Sequence, residues 1–159
     1  MPLQTDYEYP DGLDCFWVGT DSIGNVGLFV IAGMAPIPLL ALSNAYGNML
    51  DLEDWLLPLP IISEAQVTEG YASMDEDIGW ARRGIFAFDW SDIHRTRSQE
   101  LRGYERIAMP TQPLHVGELQ GVLRNCATVV TIPDADFHRD AVVKIPASMN
   151  PVRPERFMD

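Results

Sequence analysis

Asp14-Cys-Phe-Trp-Val-Gly-Thr20, Asp21-Ser-Ile-Gly-Asn25, Val26-Gly-Leu-Phe-Val-Ile-Ala-Gly33 and Met34-Ala-Pro-Ile-Pro38 follow one another in the chain, and this stretch decides the fold. Two apolar runs rich in β-branched and aromatic residues flank a polar, glycine-containing segment, Asp21–Asn25. That is the pattern of a hairpin. The pairing sets Cys15–Val18 against Leu28–Ile31. Both runs are almost wholly apolar rather than alternating, so both faces of the hairpin are expected to be covered. Pro36 and Pro38 stiffen the exit and cannot continue a ladder.

Outward from the hairpin, turn and cap signals punctuate the chain. Residues 1–13 form an irregular lead-in with a turn at Pro10-Asp11-Gly12. Pro38 suits the first turn of a helix whose apolar residues are Leu39, Leu40, Leu42, Ala45 and Tyr46, with Gly47 as its stop. Asn48 caps a second short helix, with Met49, Leu52, Trp55 and Leu56 facing the core and Pro58 ending it. Residues 61–68 suit a short edge strand or an extended linker. Ser73 and Glu76 form a capping box for a helix over 74–83, whose acidic start and Arg82-Arg83 end both match the helix dipole. Gly84 supplies its left-handed exit.

Strands are expected at 85–90 and 104–109, with a polar loop over 91–103 between them. A helix is expected over 114–125, strands at 129–132 and 141–145, and an extended tail from Pro146. Helices that interrupt an antiparallel or mixed sheet give an α+β fold. The length of 159 residues and the 47% apolar content suit one domain with a substantial core.

Charge is the strongest bias in the sequence. The net charge is −12, and the first Lys or Arg in the chain is Arg82. Residues 1–81 carry −13 and residues 82–159 carry +1. Such a first half repels nucleic acid and anionic membrane and attracts a basic partner. Solubility alone is the plainer account of the same acidity. No apolar run reaches the length of a membrane helix, and the first ten residues lack the features of a signal peptide. Cys15 and Cys126 sit in apolar settings as buried thiols. This suits a reducing cytoplasm, although two cysteines also permit a bridge.

Catalytic patterns are sparse. Neither cysteine has a neighbouring base in sequence, and no Gly-x-Ser-x-Gly elbow occurs. Gly24, Gly27 and Gly33 have the wrong spacing for a phosphate cradle. Asp134, Asp136, His138 and Asp140 alternate, which suits either a hard-cation site or a polar turn. Asp89, Asp92 and His94, with Arg95 and Arg97 beside them, supply the parts of an enzyme acting on a small anionic substrate. Surface ion pairing explains the same residues. The four tryptophans lie within apolar elements and are expected in the core.

The segments Trp17-Val-Gly-Thr-Asp-Ser-Ile-Gly-Asn-Val-Gly-Leu-Phe29, Gly33-Met-Ala-Pro-Ile-Pro38, Gly84-Ile-Phe-Ala-Phe-Asp89 and Tyr104-Glu-Arg-Ile-Ala-Met-Pro110 resemble small acidic bacterial immunity proteins of polymorphic toxin systems. The resemblance implies a cytoplasmic inhibitor without cofactor that plugs a toxin's active site with acidic side chains. The contact residues expected for such an inhibitor are the carboxylates at two helix starts, Asp51, Glu53 and Asp54, and Asp75, Glu76 and Asp77. Ordinary dipole capping accounts for both sets equally well. A small hydrolase using Asp89, Asp92 and His94 is the alternative function, and a scaffold subunit of a larger assembly is a third.

Overall fold

The computed structural model of the chain describes residues 8–69 and 75–154. The strands are β1 (Phe16–Thr20), β2 (Val26–Val30), β3 (Ala65–Val67), β4 (Phe86–Asp89), β5 (Tyr104–Pro110) and β6 (Val142–Val143). The α-helices are α1 (Leu52–Leu56), α2 (Asp75–Arg82) and α3 (Gly121–Val129). The strands form one mixed sheet in the order β1-β2-β4-β5-β3, with β6 also paired to β5, and the helices pack against it as a single α+β domain.

The hairpin forms in the expected register: Phe16 opposes Val30 and Val18 opposes Leu28. Ile31 N–H donates to the Cys15 carbonyl and extends the pairing by one step. Beyond it, β2 runs parallel to β4, with Phe29 opposite Phe88 and Val30 opposite Asp89. β4 and β5 are antiparallel, with Asp89 opposite Glu105.

Alternation along the strands separates two faces. One carries the main core: Trp17 stacks on Phe29 at 4.1 Å, and Phe29 stacks on Phe88 at 4.8 Å. Tyr104 meets Trp17 and Phe29 edge-on, and Phe137 meets Phe29 and Phe88 in the same way. Full burial of each such ring contributes roughly 1.5–3 kcal/mol, and each good ring pair adds about 0.5–1.5 kcal/mol. Tyr104 also fixes the aromatic cluster through polar contacts: its hydroxyl accepts from Trp17 Nε1 at 3.1 Å and donates to the Pro36 carbonyl at 2.6 Å.

The other face receives α2. Small residues make the approach close: Ala81 of the helix packs on Ala87 and Ala108. Trp80 lies edge-on to Phe16, with ring centroids 5.7 Å apart. The row Phe16, Val30, Asp89 and Glu105 therefore runs across the sheet under α2 and ends in two carboxylates.

Several local expectations hold. Asn48 caps with its side chain, accepting from Leu50 N–H at 3.0 Å, and Met49, Leu52 and Leu56 are buried. Residues 65–67 form an edge strand, and α2 spans the expected segment and leaves through Gly84 at φ +86°. Ser73 of the expected capping box lies outside the described residues, as do positions 1–7 of the lead-in and 155–159 of the tail.

Other expectations are corrected. The segment after Pro38 makes a single 3₁₀ turn, Leu39–Leu42, rather than a helix to Tyr46. Tyr46 instead turns its hydroxyl to the outer edge of β1, accepting from Val18 N–H at 2.7 Å and donating to the Val18 carbonyl at 2.8 Å. The helix expected over 114–125 begins only at Gly121. The preceding backbone is taken by neighbours, since Leu114 N–H donates to Gly84 and Val116 N–H to Gly24. His115 Nδ1 accepts from Gly117 N–H, and Glu118 accepts from His115 N–H, which closes one 3₁₀ turn, Val116–Glu118. α3 then absorbs Val129 of the expected strand. Its buried Leu123, Cys126 and Ala127, followed by Val130, have helical spacing. What remains of that strand is one parallel bridge from Thr131 to Thr20. The tail makes a 3₁₀ turn at Ala147–Met149 and then pairs Val152 with Ile37.

Candidate functional site

The six carboxylates expected to meet a partner divide into two groups by environment. Asp51, Glu53, Asp54, Asp75 and Glu76 are exposed at the starts of their helices. None of them forms an ion pair among the described residues; the ion pairs present join Arg95 to Asp92 and Glu105, and Arg139 to Asp140. A hollow of about 520 Å³ lies between α1 and α3; Asp54 and Glu118 are among its lining residues, together with Trp55, Leu59, Leu119 and Leu123.

Asp77 differs from the other five. It is half-buried, and its carboxyl is pushed up to about 6 by loss of solvent, then by Asp89 and Glu76. It therefore sits with the second group singled out in the sequence. Asp89, at the end of β4, is also raised, chiefly by burial. The Asp14 and Glu105 charges raise it further, while Trp90 N–H and His94 oppose the shift. Two sets of residues that looked unrelated along the chain thus meet at the open end of the hairpin. They meet because β4 pairs with β2 and α2 crosses that face of the sheet.

A cleft of about 600 Å³ opens there, past the C-terminal ends of the parallel strands β2 and β4. Asp14, Asp89, Ser91 and His94 supply its polar lining; Leu13, Val30 and Ile93 are among its apolar walls, and Trp90 also borders it. The neighbouring Glu105 is already matched, because Arg95 donates to it from Nη1 at 3.0 Å and from Nη2 at 3.4 Å. Ser91 Oγ also donates to Glu105. Asp89 has no ion-pair partner among the described residues.

Asp92 has a different role from the one its spacing to His94 suggested. It is buried, and its two oxygens accept from Leu101 N–H at 2.8 Å and Arg102 N–H at 2.7 Å. It holds the 91–103 loop closed and is absent from the cleft lining. Arg95 faces Glu105 and Asp92, and Arg97 does not line the cleft, so neither is offered there to an anionic substrate.

The remaining polar segments are structural. Asp136 accepts from His138 and Arg139 N–H, while Asp140 accepts from Asp136 N–H and pairs with the Arg139 guanidinium, which holds the Asp140 carboxyl below its usual range. These bonds make the alternating acids a polar turn. Among the described residues no group of three or more His, Cys, Asp or Glu is placed to hold a metal ion. Cys15 and Cys126 are free thiols, each pushed up to about 11 chiefly by burial, and Cys126 donates to the Tyr46 carbonyl. Neither is activated as a nucleophile. Among the described residues no helix is long and apolar enough to cross a membrane.

Fold and cleft together define a small acidic α+β domain with carboxylates on α1, on α2 and at the open end of the hairpin. No family model, no curated protein and no solved structure matches the chain.

Proposed function

We propose that the protein is an acidic inhibitor that binds a basic bacterial toxin and neutralises it by protein–protein contact, as an immunity protein does. The observation that carries this reading is the absence of internal cations from its carboxylates: Asp51, Glu53, Asp54, Asp75 and Glu76 are exposed and form no ion pair among the described residues. If acidity served solubility alone, arginines from the second half would be free to intersperse with these groups. The hollow beside Asp54 adds an apolar lining with Trp55 in it and two carboxylates, Asp54 and Glu118, a combination suited to an apolar anchor flanked by Lys or Arg. Complementary charge would speed encounter and make binding fall steeply with salt.

The alternative of a hydrolase working through Asp89, Asp92 and His94 on an anionic substrate has less support. Asp92 is spent on the loop backbone, and the cleft presents carboxylates rather than arginines.

The test uses the product encoded immediately upstream in the native genome. Expressed alone it should arrest growth, and co-expression of this protein should restore it. Replacing Asp51, Glu53 and Asp54 together by Lys should weaken the purified complex at least tenfold at low salt. Absence of any complex at low ionic strength would overturn the proposal.

A further inference from the structure

The sheet has two edge strands, and the fold treats them differently. The outer edge of β1 is closed. The Tyr46 hydroxyl takes both the N–H and the carbonyl of Val18, Thr20 N–H donates to the Val130 carbonyl, and Ile132 N–H donates to the Thr20 carbonyl. β3 ends the other side of the sheet and pairs with β5 alone among the described residues. Its bonds to β5 fall on alternate residues: the Glu64 carbonyl accepts from Thr111 N–H, and Thr68 N–H donates to the Ile107 carbonyl. Gln66, midway between them, faces β5 in the same way. The N–H and carbonyl groups of Ala65 and Val67 therefore point away from the sheet, and among the described residues nothing bonds to them there. Gln66 and Val67 are exposed, so this edge is open to solvent. An unpaired edge is a template for one more strand.

Side chains beside the edge indicate what that strand would carry. A hollow of about 530 Å³ lies between β3 and α2, lined by Ile61, Ala65, Val67 and Ile78 together with Glu64 and Arg82. A strand added antiparallel to β3 sets alternate side chains on the face of Ala65 and Val67, against this hollow. Ile61 is 59% exposed and Val67 38%, so apolar surface there is uncovered. Charge then separates two occupants. Glu64 and Glu69 are exposed around the edge, and Asp75 and Glu76 are exposed at the start of the neighbouring α2. Arg82 is the cation on the lining, and none of these five groups forms an ion pair among the described residues. A second copy of the chain brings its own net charge of −12 towards these acids. A basic segment of another protein is attracted by them.

We infer that the open edge of β3 is a docking site for an extended, basic segment of a partner protein. The segment adds one antiparallel strand to the sheet and places apolar side chains at alternate positions in the hollow. The N–H and carbonyl groups of Ala65 and Val67 supply the backbone bonds, the hollow selects the apolar positions, and the carboxylates select Lys or Arg between them. This surface is separate from the α1 acids, and the inference holds whether or not the partner is a toxin.

The experiment titrates the full-length protein with the capped peptide acetyl-Lys-Val-Lys-Val-Lys-Val-Lys-amide and follows amide NMR signals and hydrogen exchange. Saturable shifts are expected over residues 61–68 and 78–82, with slowed exchange at the Ala65 and Val67 N–H groups. Two control peptides carry the same charge. Methylation of the valine nitrogens removes the N–H groups turned toward β3 and should weaken binding roughly tenfold or more. Methylation of the two inner lysine nitrogens, which turn away from β3, should leave affinity within about twofold. Val67→Pro deletes an outward N–H and keeps the ladder bonds to β5, so it should unfold with the parent and bind the peptide about fivefold more weakly. The methylated peptides make the same test on the unaltered protein should that variant be destabilised. Glu64→Gln with Glu69→Gln should weaken binding and flatten its salt dependence. Equal affinity for the valine-methylated and unmodified peptides, or shifts spread over the acidic surface, would overturn the inference. So would self-association of the parent in sedimentation that Val67→Pro abolishes, which would give the edge to a second copy. Loss of toxin binding in the α1 variant would leave these readings unchanged, so the two ideas fail separately.

Discussion

The two ends of one hairpin treat a carboxylate in opposite ways. At the turn, Asp21 is buried, and its Oδ1 accepts from the N–H groups of Ile23, Gly24 and Asn25 at 2.9–3.0 Å. Its Oδ2 accepts from Asn25 Nδ2 at 3.0 Å and from Phe137 N–H at 2.9 Å. At the open end, Asp89 is half-buried among other acids and is displaced upward. Burial is thus compatible with either outcome. What differs is the supply of donors: a tight turn aims its own N–H groups at Asp21, whereas the end of β4 offers Asp89 little beyond Trp90 N–H and the influence of His94. The satisfied acid holds the fold together, and the other has no comparable shell of donors among the described residues.

The contrast predicts its largest effect at Asp21. Asp21→Ala leaves five donated hydrogen bonds without an acceptor, one of them from the buried Phe137 N–H 116 residues away. A loss on the order of 3–5 kcal/mol is expected in urea unfolding at pH 7. It should come with loosening of both the 21–25 turn and the Ala135–Phe137 segment in hydrogen exchange. A loss below about 1 kcal/mol would mean that the turn holds its shape without the carboxylate, and the comparison would lose its first half.

The Asp21 example also marks how far the sequence was legible. Two apolar runs rich in β-branched and aromatic residues and the Asp-Ser-Ile-Gly-Asn turn between them signalled the hairpin and its register, because both depend on neighbours in the chain. The acidic start, Arg82-Arg83 end and Gly84 signalled α2 for the same reason. The bond from Phe137 to Asp21 left no local trace, nor did the meeting of Asp77 with Asp89, since each depends on how distant segments cross the sheet. Local signals also misplaced α3. The β-branched run Val129-Val-Thr-Ile132 looks like a strand, but the period that Leu123, Cys126, Ala127 and Val130 share prevailed once packing against β1 was available. Asp92 and His94 looked like catalytic partners by spacing alone. The geometry instead turns Asp92 to the Leu101 and Arg102 N–H groups.

The next effect has the opposite sign. Asp77 is raised to about 6 in the folded protein, so the folded state holds its proton more tightly than the unfolded chain does. Its contribution to stability is fully present below the ordinary aspartate range near pH 4 and is lost as pH rises through about 6. Asp77→Asn should therefore match the parent in acid and exceed it at pH 7.5 by about 1–2 kcal/mol. That figure is smaller than the full shift implies, because solvent reaches part of the side chain. Unfolding curves at pH 4 and 7.5 measure the difference. Identical pH profiles for parent and variant would show that α2 does not press this carboxyl against Asp89.

The smallest effect belongs to the exposed acids of α1, and it distinguishes ornament from contact. Replacing Asp51, Glu53 and Asp54 by Asn, Gln and Asn removes three charges that form no ion pair among the described residues. Stability should move by within about 0.5 kcal/mol, as for other surface changes, with any loss coming from the helix dipole. The same variant should bind the basic partner more weakly, with a shallower dependence on salt. Charges that matter to the fold would reverse this pattern, lowering the unfolding midpoint while leaving association untouched. Asp21 already shows what a structural carboxylate looks like here: donors surround it from near and far in the chain. The α1 acids, like Asp89, have no such shell, and a group the fold does not use is the kind that remains free to be used by something else.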